Sequence, residues 1–176
     1  MASLIRSRDA KVRWLSPEHL FLVLRRAASV ALPLIAHVKD GVEQVASSVE
    51  PFVLVSRGVG VYPEGARPRV IHAGTAGGRE QVEALTRALD EALLAQGIPM
   101  EHGRHVAQVV LGRLCTPRKR LDLSDAVEAL RELPLGSSEV RELVLFETRA
   151  RRSGMQVKVL SRHLLRGVQA AGVQTA

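Results

Sequence analysis

Aromatic residues are scarce: three Phe, one Trp and one Tyr make up 3% of a 176-residue chain. A core must then be filled by Val, Leu, Ala and Ile, and there are too few rings for a module that stacks single-stranded bases. Cysteine is nearly absent. The lone Cys115 excludes an intramolecular disulfide and cannot by itself form a zinc site. No histidine partners it in the sequence, so it reads as a small buried apolar residue rather than a nucleophile. Long apolar runs are also missing. The most apolar N-terminal stretch, residues 20–38, is broken by Arg25, Arg26 and Pro33, short of the roughly twenty uninterrupted residues that a membrane span needs. The few basic residues at the start make no export signal or organelle address. Gly77 and Gly78 precede a helical pattern, but their spacing fits no phosphate-loop signature. The expectation is a soluble protein of the reducing cytoplasm, with no metal and no cofactor.

Hydrophobic residues make up 46% of the chain and charged residues 24%, which is a globular composition. The length fits one domain, or two small lobes sharing a core. A net charge of +7 and a pI near 10.7 favour an anionic partner.

Two periods alternate along the chain. Residues 12–15 form a short extended piece stopped by Ser16 and Pro17, and HLFLVL (19–24) is a dense apolar strand pattern. Leu34, Val38, Val42, Val45 and Val49 recur every three or four residues, as one face of a helix closed by Pro51. Residues 52–61 are β-branched and alternating, with a bend or bulge expected at Gly58 and Gly60. A turn over 62–68 leads to a strand over 69–73. The clearest helix spans 79–96, with Val82, Leu85, Leu89, Ala92 and Leu93 as its buried stripe and Gly97 as its stop. A strand over 106–114, a helix over 124–133 ended by Pro134, and strands over 140–148 and 156–162 complete the reading. Strict strand–helix alternation is missing, so the fold class is α+β with mostly antiparallel sheets flanked by helices.

Several of these strings, taken in order, resemble one family. VRWLSPEHLFLVL (12–24), YPEGARPRVIHAG (62–74), VVLGRL (109–114) and the hairpin over 140–160 are similar to consecutive segments of the RNA 2′,3′-cyclic phosphodiesterase (2′-5′ RNA ligase) family of two-histidine phosphoesterases. The resemblance covers about residues 12–165. It leaves 1–11 and 166–176 as tails and implies two pseudo-symmetric lobes facing across a cleft. In that family each lobe carries a His-x-Thr/Ser motif on a strand, where residues two apart share a face. One imidazole removes a proton and the other supplies one, while the hydroxyls hold phosphate oxygens, and no metal is needed.

This chain departs from the motif at all four positions. The registered alignment puts Phe21 and Val23 in the first motif and Gln108 and Val110 in the second. Phenylalanine carries no proton, glutamine has no useful pKa, and valine keeps the shape of threonine without its hydroxyl. Two histidines are displaced alternatives: His19, two residues before Phe21, and His105, three before Gln108. The plainer reading makes them polar residues where strands begin. Arg25, Arg69, Gln108 and Arg113 are the candidate phosphate ligands. Arg113 reaches the face of Gln108 only if the strand bulges near Gly112. Arg118, Lys119 and Arg120, and Arg149, Arg151 and Arg152, read as solvated basic loops. The family's opening strand and helix have no counterpart in 1–11, which predicts an uncovered edge in the first lobe, filled by a second copy of the chain or by another protein.

The resemblance therefore implies a non-catalytic family member that binds a protein partner, or an RNA or nucleotide phosphate. An active phosphodiesterase using His19 and His105 is the alternative.

Overall fold

A computed structural model describes residues 12–27, 29–65, 67–98, 108–115, 123–151 and 154–167. His105, the basic loop around Arg118, Lys119 and Arg120, residue Arg152 and both terminal tails up to 11 and from 168 lie outside them. The chain forms two compact units. One is Met1–Leu24, Leu54–Arg79 and His105–Ser138; the other is Arg25–Val53, Glu80–Arg104 and Glu139–Ala176.

The first unit is built on a five-stranded sheet in the order β1-β4-β3-β2-β5. Its strands are β1 (Val12–Trp14), β2 (Phe52–Tyr62), β3 (Val70–Gly77), β4 (Val109–Leu114) and β5 (Pro134–Val140). The β1–β4, β4–β3 and β3–β2 pairs are antiparallel. One face carries the core, where Val59, Ile71 and Leu114 pack with Leu123 and Leu130, joined by Val12, Trp14 and Val61. The short helix α3 (Ser124–Ala129) covers that face. A small crevice beneath it, lined by Val61, Ile71, Leu123, Ala126 and Val127 among others, is apolar throughout.

Glycine sets the bends of β2. Gly58 has φ 77° and lies so close to the turn after α3 that a Cβ there would sit 2.3 Å from the Arg131 carbonyl oxygen. That turn feeds the strand, since Gly58 N–H donates to Leu133 O and Val59 N–H to Leu130 O. The bend expected at Gly58 is present as register shifts between Val55, Ser56 and Val59.

The second unit contains α1 (Ile35–Ser48), nearly all of α2 (Arg79–Ala95), and the antiparallel hairpin β6 (Glu142–Arg151) and β7 (Gly154–Leu164). The middles of the expected stripes are buried: Val38, Val42 and Val45 on α1, and Val82, Leu85, Leu89 and Leu93 on α2, while Leu34, Val49 and Ala92 are half-buried. Gly41 lets the helices approach, for a Cβ there would already lie 3.4 Å from Leu93 Cδ2.

A polar clasp fastens α1 to β7. The buried His163 ring holds Glu43 Oε2 at 2.6 Å through Nδ1 and Ser161 Oγ at 2.8 Å through Nε2. A carboxylate only accepts, so Nδ1 carries a hydrogen and donates it to Glu43. The hydrogen bond from His163 holds the Glu43 carboxyl below its usual pKa. These are the distances of a serine–histidine–acid relay, but Ser161 and His163 share the strand face that meets α1. Both ring nitrogens are spent on packing the helix.

Four expectations change. HLFLVL is not a continuous strand, because Pro17–His19 is a single 3₁₀ turn and only Leu22 makes a strand bridge, to Val109. Pro17 starts that turn, and the Ser16 hydroxyl holds the His19 ring at 2.9 Å. β3 runs on through Gly74, which sits against the β2 bulge where a Cβ would lie 2.6 Å from Arg57 O. α3 stops at Ala129 because residues 130–133 leave the helix to supply carbonyls to β2. Cys115 is exposed rather than buried, since β4 places its last core side chain at Leu114.

Candidate functional site

The motif positions come together within the first unit. The antiparallel bridge Leu22↔Val109 sets Phe21 beside Val110 and Val23 beside Gln108. Cross-strand neighbours of this kind have Cβ atoms about 4.5–5.5 Å apart and share a face. The two motif segments were expected in separate lobes, but both fall in the unit that holds the five-stranded sheet. All four side chains are half-buried.

The row continues across the sheet. Val110 pairs with His72 on β3, and His72 pairs with Gly60 on β2. Phe21, Val110, His72 and Gly60 therefore line up on the face opposite Ile71 and the core. The His72 side chain fills the space above Gly60, where an added Cβ would meet its Cε1 at 2.5 Å and its Nε2 at 2.8 Å. His72 is 9% exposed, and its Nδ1 is buried with no hydrogen-bond partner among the described residues. Burial lowers its pKa below the usual 6.5, outweighing opposite pulls from the Ala73 backbone and the Glu64 carboxylate. Burial thus favours the neutral ring.

Arginines occupy the next row of the same face. Val70 pairs with Arg113 while Ile71 pairs with Gly112 and His72 with Val110, so Leu111 is an extra residue and β4 bulges. The bulge returns Arg113 to the side of Val110, which answers the parity question that its spacing raises. Arg13 on β1 pairs with Arg113, and Tyr62 on β2 pairs with Val70; all three are exposed. Arg13, Arg113, Tyr62, Gln108 and His72 thus give one sheet face a set of hydrogen-bond donors and two positive charges.

The other candidates are placed differently. Arg69 is exposed, and by alternation it shares the side of Ile71; its backbone ties the turn, accepting from Leu114 N–H and donating to Tyr62 O. Arg25 lies in the second unit, its guanidinium paired with Asp90 of α2 and its Nε buried without a partner among the described residues. His19 meets Phe21 edge to face, with ring centroids 6.4 Å apart. His105 lies outside the described residues. Among the described residues no cluster of three His, Cys, Asp or Glu side chains is arranged to hold a metal. Sequence reasoning passed over His72, Arg13 and Tyr62, because only cross-strand register brings them to one face.

Comparison with known proteins identifies the class. The fold is similar to a crystal structure of TT0787 of Thermus thermophilus (TM-score 0.76, 21% identity, 94% of this chain and 88% of that one). It is also similar to Escherichia coli LigT complexed with 3′-AMP (TM-score 0.72, 14% identity, 93% and 86% covered). No family model matches the chain. In sequence it is 29% identical over 141 residues to the RNA 2′,3′-cyclic phosphodiesterase of Methanothermobacter thermautotrophicus, covering 80% of this chain and 76% of that protein. The protein of the same name from Aeropyrum pernix is 25% identical over 143 residues, with 81% and 80% covered. The architecture is that of TT0787 and LigT. In sequence the chain is similar to the RNA 2′,3′-cyclic phosphodiesterase / 2′-5′ RNA ligase family of two-histidine phosphoesterases.

Proposed function

We propose that this family member binds a nucleotide or RNA phosphate and does not turn it over. The observation that carries the reading is the bridge of Leu22 to Val109, which brings the two motif segments side by side with Phe21, Val23, Gln108 and Val110 at the motif positions: none of the four is an imidazole or a hydroxyl. Transfer at a phosphodiester needs one group to take a proton and another to give one, each worth about 10²–10⁴ in rate. The donors on the same face, and a net charge of +7, support phosphate binding without that step. The solved LigT complexes with 3′-AMP, ATP and NADP+ are consistent with a phosphate ligand.

Calorimetric titration of 3′-AMP and of a short RNA into the purified chain tests the binding. Saturable binding that weakens steeply with salt is expected, because arginine contacts release counterions. Salt-independent binding, or none, would count against a phosphate ligand and favour a protein partner. A cytoplasmic location and a two-fold dimer belong to the same proposal; light scattering giving twice the chain mass is the expected result for the dimer, and a monomer mass would remove it.

A second reading keeps catalysis with displaced histidines. The contact of His19 with Phe21 favours it, since an imidazole lies against the first motif position. Turnover lost on His19→Ala or His105→Ala would establish that reading.

A further inference from the structure

We infer that Ser16 and Glu18 fix the tautomer of His19, leaving its Nε2 as a bare acceptor that takes the 2′-hydroxyl hydrogen of a bound ribonucleotide. The inference rests on the phosphate-binding reading above and names the sugar that accompanies the phosphate.

Ser16 stands at the N-cap of the Pro17–His19 turn, where a serine oxygen ordinarily accepts from a backbone N–H. Here its side chain makes no such cap. The His19 N–H donates to the Ser16 carbonyl oxygen, which leaves the hydroxyl to the His19 ring, 2.9 Å from Nδ1. Glu18 completes the group. Its carboxylate lies 4.0 Å from the same Nδ1, and a hydrogen bond from Ser16 holds its pKa below the usual carboxyl value. A hydroxyl has one hydrogen and a carboxylate only accepts, so Ser16 gives that hydrogen to Glu18 and accepts from Nδ1–H. The negative charge beside Nδ1 attracts a hydrogen there as well. In a neutral imidazole, the bond made by one nitrogen decides the role of the other, and Nε2 is the one left bare.

That nitrogen is reachable. The His19 side chain is 34% exposed. Its Nε2 has no partner among the described residues, whereas His163 spends both ring nitrogens on its neighbours. The ring lies edge to face on Phe21, the first motif position, and the Leu22↔Val109 bridge brings this segment beside Gln108. A nitrogen with a lone pair and no hydrogen cannot donate to a phosphate oxygen; its partner has to bring the hydrogen. In a nucleotide with a 3′-phosphate, the hydroxyl next to that phosphate is the 2′-hydroxyl. DNA lacks it, so the contact selects ribose over deoxyribose. Accepting a hydrogen bond needs no second proton-transfer group, which agrees with binding without turnover.

The test uses the full chain and two probes, 3′-AMP and 2′-deoxyadenosine 3′-phosphate. Long-range NMR of 15N-labelled histidine reads the tautomer, and calorimetry compares the probes in wild type, His19→Phe, Ser16→Ala and Ser16→Thr. In wild type the expected result is a His19 Nε2 without hydrogen whose resonance moves with 3′-AMP. The deoxy probe should bind about three- to tenfold more weakly, the worth of one hydrogen bond. Ser16→Ala should return the hydrogen to Nε2 and bring the two affinities together, and Ser16→Thr, which keeps a hydroxyl, should restore both properties. His19→Phe should bind the two probes equally. Equal wild-type affinities for the probes, or a hydrogen on the wild-type Nε2, overturn the inference even if the variants fail to fold. So does discrimination that survives in a folded His19→Phe or Ser16→Ala. Absence of 3′-AMP binding by the wild type at millimolar concentration overturns the phosphate-binding reading itself, and this inference with it.

Discussion

His72 and Gly60 are a matched pair, and their fit has consequences for stability. The Cβ of alanine at position 60 would lie 2.5 Å from the imidazole, and the buried ring has little room to withdraw. Gly60→Ala should therefore cost about 1–3 kcal/mol in urea unfolding, as overpacking does elsewhere; an unchanged midpoint would mean the ring moves freely. Gly58 is more constrained still, with φ 77° and a backbone oxygen in place of a movable side chain. Gly58→Ala should lose more than Gly60→Ala in the same measurement. His72 also sets a pH dependence. Its folded pKa is lowered by burial, so the unfolded chain takes up a proton that the folded one resists as pH falls through about 6.5. The stability lost between roughly pH 7.5 and pH 5.5 should be smaller in His72→Phe; equal losses would show that the imidazole is not shielded. The residue was open to notice in the sequence, inside the string YPEGARPRVIHAG that carries part of the resemblance. What could not be read was its register, which depends on the bulge at Leu111.

Among the elements, the helices were the most legible. The stripes on α1 and α2 repeat at helical spacing, and most of their residues are buried; Leu34 and Val49, which flank α1, and Ala92 are half-buried. β5 was missed, because PLGSSEV is mostly exposed at the sheet edge and shows no apolar period. HLFLVL misled for the opposite reason: its apolar density looks like a strand, while Pro17 and the Ser16–His19 hydrogen bond curl its start. The α1–β7 clasp gives a prediction at this scale. The hydrogen bond from His163 holds the Glu43 carboxyl below its usual pKa, so this contribution is present above the unfolded value and is lost as pH falls through the lowered one. Urea midpoints should drop between about pH 5 and pH 3, less steeply in Glu43→Gln. An identical acid profile in the variant would mean the clasp adds nothing. In the other unit, Ile71 is fully buried beneath α3, and Ile71→Ala should cost about 2–5 kcal/mol.

For the molecule as a whole, the family was legible from the order of four weak strings, and the fold and the related phosphodiesterases agree with it. The candidate site was legible only in part. Gln108 and Arg113 were named from spacing, whereas Arg13, Tyr62 and His72 joined them through pairing across the sheet. Arg25 illustrates the limit: its place in the alignment suggested an anion, but its charge is met by Asp90, sixty-five residues away in the chain. Among the described residues no helix is long and apolar enough to cross a membrane. The net charge of +7 is the broad cue to an anionic ligand. The central claim is that phosphate recognition persists without proton transfer. Its most direct test is 31P NMR of 2′,3′-cyclic AMP incubated with the purified protein. The expected result is an intact cyclic phosphate, with no hydrolysis above a buffer blank; steady ring opening that disappears on His19→Ala or His105→Ala would contradict the claim.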